Sequence, residues 1–320
     1  MEQLTETNEE SYELTQYKAS KDKLTVLVTG GSGFIGSHTV DSLINNNYNV
    51  IVVDKQKSKY ANDNAKYYQM DLNDDNFEKV FIENQIDVIV HLAAQASVSV
   101  SIKNPIDDAQ NNILATLKVI KFSQKYGIKQ IIAASTAAVY ANPKYLPIDE
   151  QHPTNYLSPY AISKHTMEEY LKLSGLNYVI CRFSNVYGPR QSADGEAGVV
   201  AIFTNKMSKN LPIQIHGDGE QIRDFIYVGD IANAILLIIK SKSKKKIYNI
   251  SSTTKNSVND LFNNLKNIID YKLKPEYTPP REGDINESVL NNKKIINELN
   301  YKITTNFKDG LKLTVKEIIN

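Results

Sequence analysis

The segment KLTVLVTGGSGFIGSH (Lys23–His38) restricts the fold more than any other part of the chain. A short, β-branched apolar run reads as a buried strand, and it stops at glycines. Gly30, Gly33 and Gly36 recur every third residue and lead into a helix, on which Ile35, Val40, Leu43 and Ile44 gather near one face. Glycine admits a turn with positive φ and lets backbone approach a pyrophosphate, which then faces the first amides of the helix. A tight strand–helix turn without a ligand would use the same residues, so the triple glycine leaves both readings open. The next apolar run, NVIVVD, ends in Asp54. A carboxylate there suits the ribose hydroxyls of NAD and repels a 2′-phosphate. Asp71, in YYQMDL, stands to meet the adenine amino group. For either aspartate the competing reading is an ordinary turn residue.

Strands and helices then alternate. DVIVHLAA (Asp87–Ala94) is a strand, and DAQNNILATLKVIKFSQKYG is one long helix closed by Gly127. KQIIAAS is a strand, and SPYAISKHTMEEYLKLSG is a helix with Pro159 in its first turn, followed by the strand NYVICRF. Buried-looking strands alternating with helices predict an α/β fold, a Rossmann-type doubly wound parallel sheet. After about Gly188 the rhythm breaks, and Pro, Gly and Asn become more frequent. The expected organisation is an N-terminal extension over 1–22, an NAD-binding domain over 23–187, and a smaller C-terminal substrate domain over 188–320, interleaved with the first.

Composition removes several classes of function. The 37 basic and 36 acidic residues balance to a net charge of +1, which offers no field for nucleic acid or a membrane surface. Apolar runs such as AILLII (Ala234–Ile239) are too short to span a bilayer. Cys181 stands alone, so no internal disulfide forms, which fits a reducing, cytoplasmic setting. The acidic N-terminus lacks the apolar core of a signal peptide and reads as a mobile extension or a docking arm. The run KSKSKKK (Lys240–Lys246) reads as a solvated loop in preference to a polyanion site. His38, His91, His152, His165 and His216 show no metal spacing, and no metal is expected.

Two clusters carry reactive groups. YAISK puts Tyr160 and Lys164 at i and i+4 on one helical face, where an ammonium is expected to lower the phenol pKa. ASTAAVY puts the hydroxyls of Ser135 and Thr136 at the C-terminal end of a parallel strand, the edge where such sheets place chemistry. Tyr-x-x-x-Lys alone is common by chance; its order after the glycine motif and the hydroxyl gives it weight.

With those residues in place, the chain resembles the extended short-chain dehydrogenase/reductase family, and within it the NAD-dependent nucleotide-sugar epimerases. The resemblance runs from about Lys23 to the C-terminus through TGGSGFIGSH, HLAAQASV, STAAVY, YAISK, RFSNVYGPRQ, GDGEQIRDFIYVGD, YNIS and PPREGD. It implies C4 epimerisation of a UDP-hexose. Tyr160 would take the 4-hydroxyl proton as hydride passes from C4 to the nicotinamide, and Thr136 would hydrogen-bond that oxygen, with Ser135 as a supporting neighbour. Lys164 would hold the nicotinamide ribose. The 4-keto sugar would turn over and take the hydride back on its other face.

For the cofactor, the resemblance adds Phe34 and Ile35, Leu72, and Leu92, Ala93 and Ala94. For the substrate, it implies Asn185, a buried-looking amide, with Arg223 and Arg281 on the diphosphate and Asp284 near the uridine ribose. Val199, Gln214 and His216 would lie along the nucleotide. Two arginines suit two phosphates, because the guanidinium fork pairs with anionic oxygens; a surface ion pair is the competing reading of each. Ser288 stands where a bulky aromatic would confine the pocket to plain hexoses, so UDP-GlcNAc and UDP-GalNAc are expected to fit, beside UDP-Glc and UDP-Gal. The family's VYG is VYA here, with Ala141, so that loop is expected to differ slightly. A two-fold homodimer is implied, pairing Asp107–Tyr126 and Ser158–Leu173, which carry Ile113, Leu117, Ile120, Met167, Tyr170 and Leu171 on more than one face.

Alternatives remain. A 4,6-dehydratase needs an acid and a base directly after the hydroxyl, where this chain has Ala137 and Ala138. A uronate or pentose 4-epimerase, or a decarboxylating relative, would differ only around C5 and C6. A non-catalytic NAD-binding scaffold would have no need of Thr136, Tyr160 and Lys164.

Overall fold

The computed structural model describes residues 20, 22–193, 198–280 and 285–319. All but Ser20 and Asp22 of the expected N-terminal extension lies outside them, as do Arg281 and Asp284.

The strands of the first half are β1 (Thr25–Thr29), β2 (Asn49–Asp54), β3 (Ala65–Gln69), β4 (Val88–His91), β5 (Gln130–Thr136) and β6 (Tyr178–Phe183). Those of the second half are β7 (Asn185–Tyr187), β8 (Gln214–His216), β9 (Ile222–Arg223), β10 (Phe225–Tyr227), β11 (Lys246–Ile250), β12 (Asn256–Ser257), β13 (Glu276–Thr278) and β14 (Glu287–Ser288). Seven form one parallel sheet, in the order β11-β6-β5-β4-β1-β2-β3. The order reverses beside β1, and the crevice at that switch point is where such sheets bind ligands.

Side-chain alternation sends successive strand residues to opposite faces, and helices cover both. Helix α1 (Phe34–Asn45) packs one face through Val40 and Leu43, against Val26, Val28 and Val52. The other face buries Leu27, Ile51, Ile89 and Ile131 under α2 (Glu78–Glu83), α5 (Ala115–Lys125) and α6 (Pro159–Leu173). Between α2 and α5, helices α3 (Val98–Lys103) and α4 (Pro105–Ala109) pack on α6. Next come α7 (Val199–Ser208), α8 (Val228–Ser241), α9 (Val258–Ile269), α10 (Lys293–Leu299) and α11 (Phe307–Ile319). Helices α7, α9 and α11 share a separate core around Phe203, Phe262 and Leu311. Helix α8 instead joins α1 through Ile231, Ile235 and Ile238.

The structure departs from the expected long helix over 107–126. Pro105 starts α4, capped by the Asn104 side chain, and a π turn over Gln110–Leu114 separates it from α5. The π turn brings the polar Asn112 inside, where its amide donates to Gln95 O at 3.0 Å and accepts from Gln95 N at 2.9 Å. A helix-period reading has no place for that residue, because two of its bonds go to a loop, beside one to Asp108 Oδ1 a turn earlier at 2.9 Å. No helix among the described residues is long and apolar enough to cross a membrane.

Candidate active site

The first turn of the sheet builds a cleft. Gly30 ends β1 with φ +72°, and its N–H donates to Val53 O at 2.8 Å. A Cβ there would lie 2.6 Å from Ala93 N, and one on Gly36 would lie 2.0 Å from Gly30 O. Glycine is therefore the only residue that lets α1 seat on the turn with backbone exposed to the cleft. Gly33 caps α1 without a side chain, leaving the first amides unshielded. Asp54 stands beside this turn: its carboxylate accepts from Ser32 N at 3.0 Å and Gln56 N at 2.9 Å.

The cleft holds about 340 Å³ and is lined by Gly30, Gly33, Phe34, Ile35, Gly36, Asp54, Asp71, Leu72, Leu92, Ala93 and Ala94. Sequence reasoning missed Lys55, Asn111 and Ala134 on its wall. Lys55 Nζ donates to Asn111 Oδ1 at 3.0 Å. Its place after Asp54 was a usable signal; Asn111 sits on the π turn and gave none. Bare amides on the turn and a tethered carboxylate beside it fit a dinucleotide with its pyrophosphate on the turn and a ribose diol on Asp54.

Thr136 is the last residue of β5 and caps a short 3-10 turn over Ala137–Tyr140, its Oγ1 accepting from Ala138 N at 3.1 Å. The Thr136 hydroxyl lies beside Tyr160, the second residue of α6, and favours its phenolate. Two hydroxyls anchor its helix: Ser158 Oγ accepts from Ala161 N at 3.2 Å, and Ser101 Oγ on α3 accepts from Tyr160 N at 3.1 Å. One turn on, Lys164 is buried, donating to Met167 Sδ at 3.8 Å and facing the carboxylates of Glu168 and Asp108.

Burial lowers Lys164 to about 8 against those two charges. Burial also raises Tyr160 to about 12, opposed by the nearby Thr136 hydroxyl and helped by Asp108. This corrects the expectation that the lysine lowers the phenol: desolvation outweighs every favourable contact, and the phenol stays protonated until further positive charge arrives. Ser135 faces α6 further along than Tyr160, and its hydroxyl donates to Glu168 Oε1 at 2.5 Å. It touches the reacting pair only through that carboxylate.

The residues expected to hold the nucleotide sugar come together through register. Thr136 pairs with Phe183, and β7 begins two residues later with Asn185, on the same edge of the sheet. Asn185 is exposed, not buried as expected, because β7 is paired on one side only, with β10. Its N–H donates to Asp224 O at 2.9 Å, which puts it beside Arg223. Arg223 in turn pairs in register with Ser288, and its Nη1 donates to Ile285 O at 2.6 Å.

Asp224, which sequence reasoning missed, is fully buried, and burial lifts its carboxyl to about 6. It accepts from Ser252 N, Ser252 Oγ and Leu290 N at 2.9–3.1 Å, fixing two loops beside Arg223. On a neighbouring ribbon His216 Nδ1 hydrogen-bonds Thr278 Oγ1 at 2.8 Å, Gln214 is exposed, and Val199 opens α7. Among the described residues no cluster of His, Cys, Asp or Glu could hold a metal ion.

A doubly wound sheet with a dinucleotide cleft at its switch point, and Thr, Tyr and Lys side chains beside it, defines a nicotinamide-dependent enzyme of the short-chain dehydrogenase/reductase type. More narrowly, the chain belongs to the NAD dependent epimerase/dehydratase family, whose model matches residues 26–251. It is similar to the UDP-glucose 4-epimerase of Thermotoga maritima, solved with UDP-glucose: TM-score 0.89, 42% identity, 92% of this chain and 98% of that one. The UDP-N-acetylglucosamine 4-epimerase of Methanobrevibacter ruminantium, solved with UDP-N-acetylmuramic acid, gives TM-score 0.88 and 35% identity over 93% of this chain and 98% of that one. The UDP-glucose 4-epimerase of Mycolicibacterium smegmatis is 32% identical over 91% of this chain and 97% of its own length.

Proposed function

We propose that the protein interconverts UDP-hexoses at C4, with NAD as its cofactor. The observation that carries this reading is the Thr136–Tyr160 pair at the carboxyl edge of the sheet, beside the glycine and Asp54 cleft, with only Ala137 and Ala138 after the threonine. Bound NAD supplies a hydride acceptor for C4 and a positive ring charge that favours the phenolate. Tyr160 takes the 4-hydroxyl proton and later returns it, while Thr136 holds the same oxygen. Lys164 holds its ammonium beside Tyr160. The two alanines give no acid or base to remove the C5 proton and expel the C6 hydroxyl, so the 4-keto sugar is reduced and not dehydrated.

Asn185, Arg223, Val199, Gln214 and His216 form the nucleotide and diphosphate wall, joined in this reading by Arg281 and Asp284. Ser288, in register with Arg223, leaves room for a 2-N-acetyl group. The active form is a homodimer through α5 and α6. UDP-sugars incubated with the protein, with products separated by NMR, test the reaction: C4 epimers are expected, and a panel without any overturns it. Tyr160→Phe is expected to lower kcat by roughly 10²–10⁴-fold with NAD binding kept. Ser288→Tyr is expected to remove N-acetylhexose turnover while sparing plain hexoses; undiminished N-acetyl turnover would reject the gate.

A further inference from the structure

Glu168 lies one turn beyond Lys164 on α6 and is completely buried. Its Oε1 accepts from Ser135 Oγ at 2.5 Å and Arg182 Nε at 2.9 Å, and its Oε2 accepts from Arg182 Nη2 at 2.6 Å. Ser135 and Arg182 face each other in register across β5 and β6, so one carboxylate clamps both strands. Arg182 continues the chain: its Nη1 donates to Tyr140 Oη at 2.9 Å, and Tyr140 donates to Asn249 Oδ1 on β11 at 2.7 Å. The residue before Thr136, the turn after Lys164 and the far strand of the sheet thus meet on one ion pair.

A pair this deep is poorly explained by stability. Desolvating two charges costs about as much as their attraction returns, and well-packed apolar replacements are often no less stable. What the pair supplies is a fixed place for groups around it. We propose that the buried Glu168–Arg182 pair is a positioning device for the reaction: it locks the Lys164 turn of α6 against the Thr136 end of β5 and gives the Lys164 ammonium a counter-charge. The proposal rests on the epimerase reading of Thr136, Tyr160 and Lys164.

The charges around the two groups are few. Lys164 faces Glu168 on its own helix, Asp108 on α4, Tyr160, and His91 on β4. His91 is held neutral by burial, near 3, between Thr29 and Thr116. Glu168 faces Arg182 on β6, Tyr140 on the turn after β5, and His165 beside it. Both carboxylates raise the Lys164 pKa against burial. Removing one lets the ammonium lose its proton at lower pH.

Two variants and two readouts test this. Glu168→Gln removes the charge and keeps the shape. Glu168→Leu combined with Arg182→Met removes the pair without stranding a charge, which protects the fold. In the double variant kcat is expected to fall about ten-fold or more, with KM little changed, because binding survives and alignment does not. In Glu168→Gln the alkaline limb of kcat, and the Lys164 titration followed by NMR of side-chain ¹⁵N-labelled lysine, are expected to move acidward by about one pH unit. Wild-type kcat in the double variant, or an unmoved Lys164 midpoint in Glu168→Gln, overturns the proposal. Failure of the unaltered protein to turn over any UDP-hexose would overturn the functional reading instead, and the Lys164 midpoint would still decide this one.

Discussion

Lys164 is the least comfortable residue in the molecule. Unfolded, it keeps its proton to near 10.5; folded, burial brings that down to about 8. Between those values the unfolded chain binds more protons, so stability contributed by this site rises with pH from 8 to 10.5, and below 8 the full cost is present. That cost is about 3 kcal/mol. Lys164→Met is therefore expected to stabilise the fold at pH 7 by an amount on the order of 1–3 kcal/mol, seen in the denaturant midpoint, while epimerisation is lost. An unchanged or lower midpoint would contradict the argument. Ala141 stores strain of another kind, with φ +49° and ψ −132°, a conformation that suits glycine. Ala141→Gly should gain about 1 kcal/mol after the added chain entropy is counted. The shared helical face of Tyr160 and Lys164 was legible from their i, i+4 spacing, and the strand-end place of Thr136 from the apolar run before it. The pKa order was not, since it depends on burial, which no spacing reveals.

At the scale of elements, the β1–α1 turn is the part most tightly fixed by contact. Gly36→Ala would push a methyl into Gly30 O, and the turn must open. NAD affinity is expected to fall at least ten-fold (about 1.4 kcal/mol), measured by fluorescence quenching; wild-type affinity would show that the turn is slack. The sheet strands were readable as apolar runs, and the glycine turn as a motif. The π turn over Gln110–Leu114 was not, because the partner that draws Asn112 inward is a loop residue. The proposed substrate face was harder still. It is built from ribbons two or three residues long, such as β9 against β12 and β14, whose partners are far apart in the chain. Periodicity needs more residues than these to register.

At the scale of the whole molecule, α6 presents an apolar stripe to solvent. Ile162, Tyr170 and Leu173 on α6 are 50%, 43% and 84% exposed, and Ile106 on α4 is 71% exposed. A patch of that kind suits an isologous contact. Light scattering at micromolar concentration is expected to give a dimer, and Ile162→Asp with Leu173→Asp a monomer that still binds NAD; a monomeric parent chain would rule the dimer out. The return of α8 and β11 to the sheet has a consequence for how the gene can be cut. A chain stopped after residue 187 keeps every glycine of the dinucleotide motif, Asp54 and the side chains of Thr136, Tyr160 and Lys164. Yet it loses the strand that covers β6 and the helix that lies beside α1. Its open edge would be a template for foreign strands, so such a fragment should precipitate on expression, and no free-standing cofactor module can be excised from this sequence.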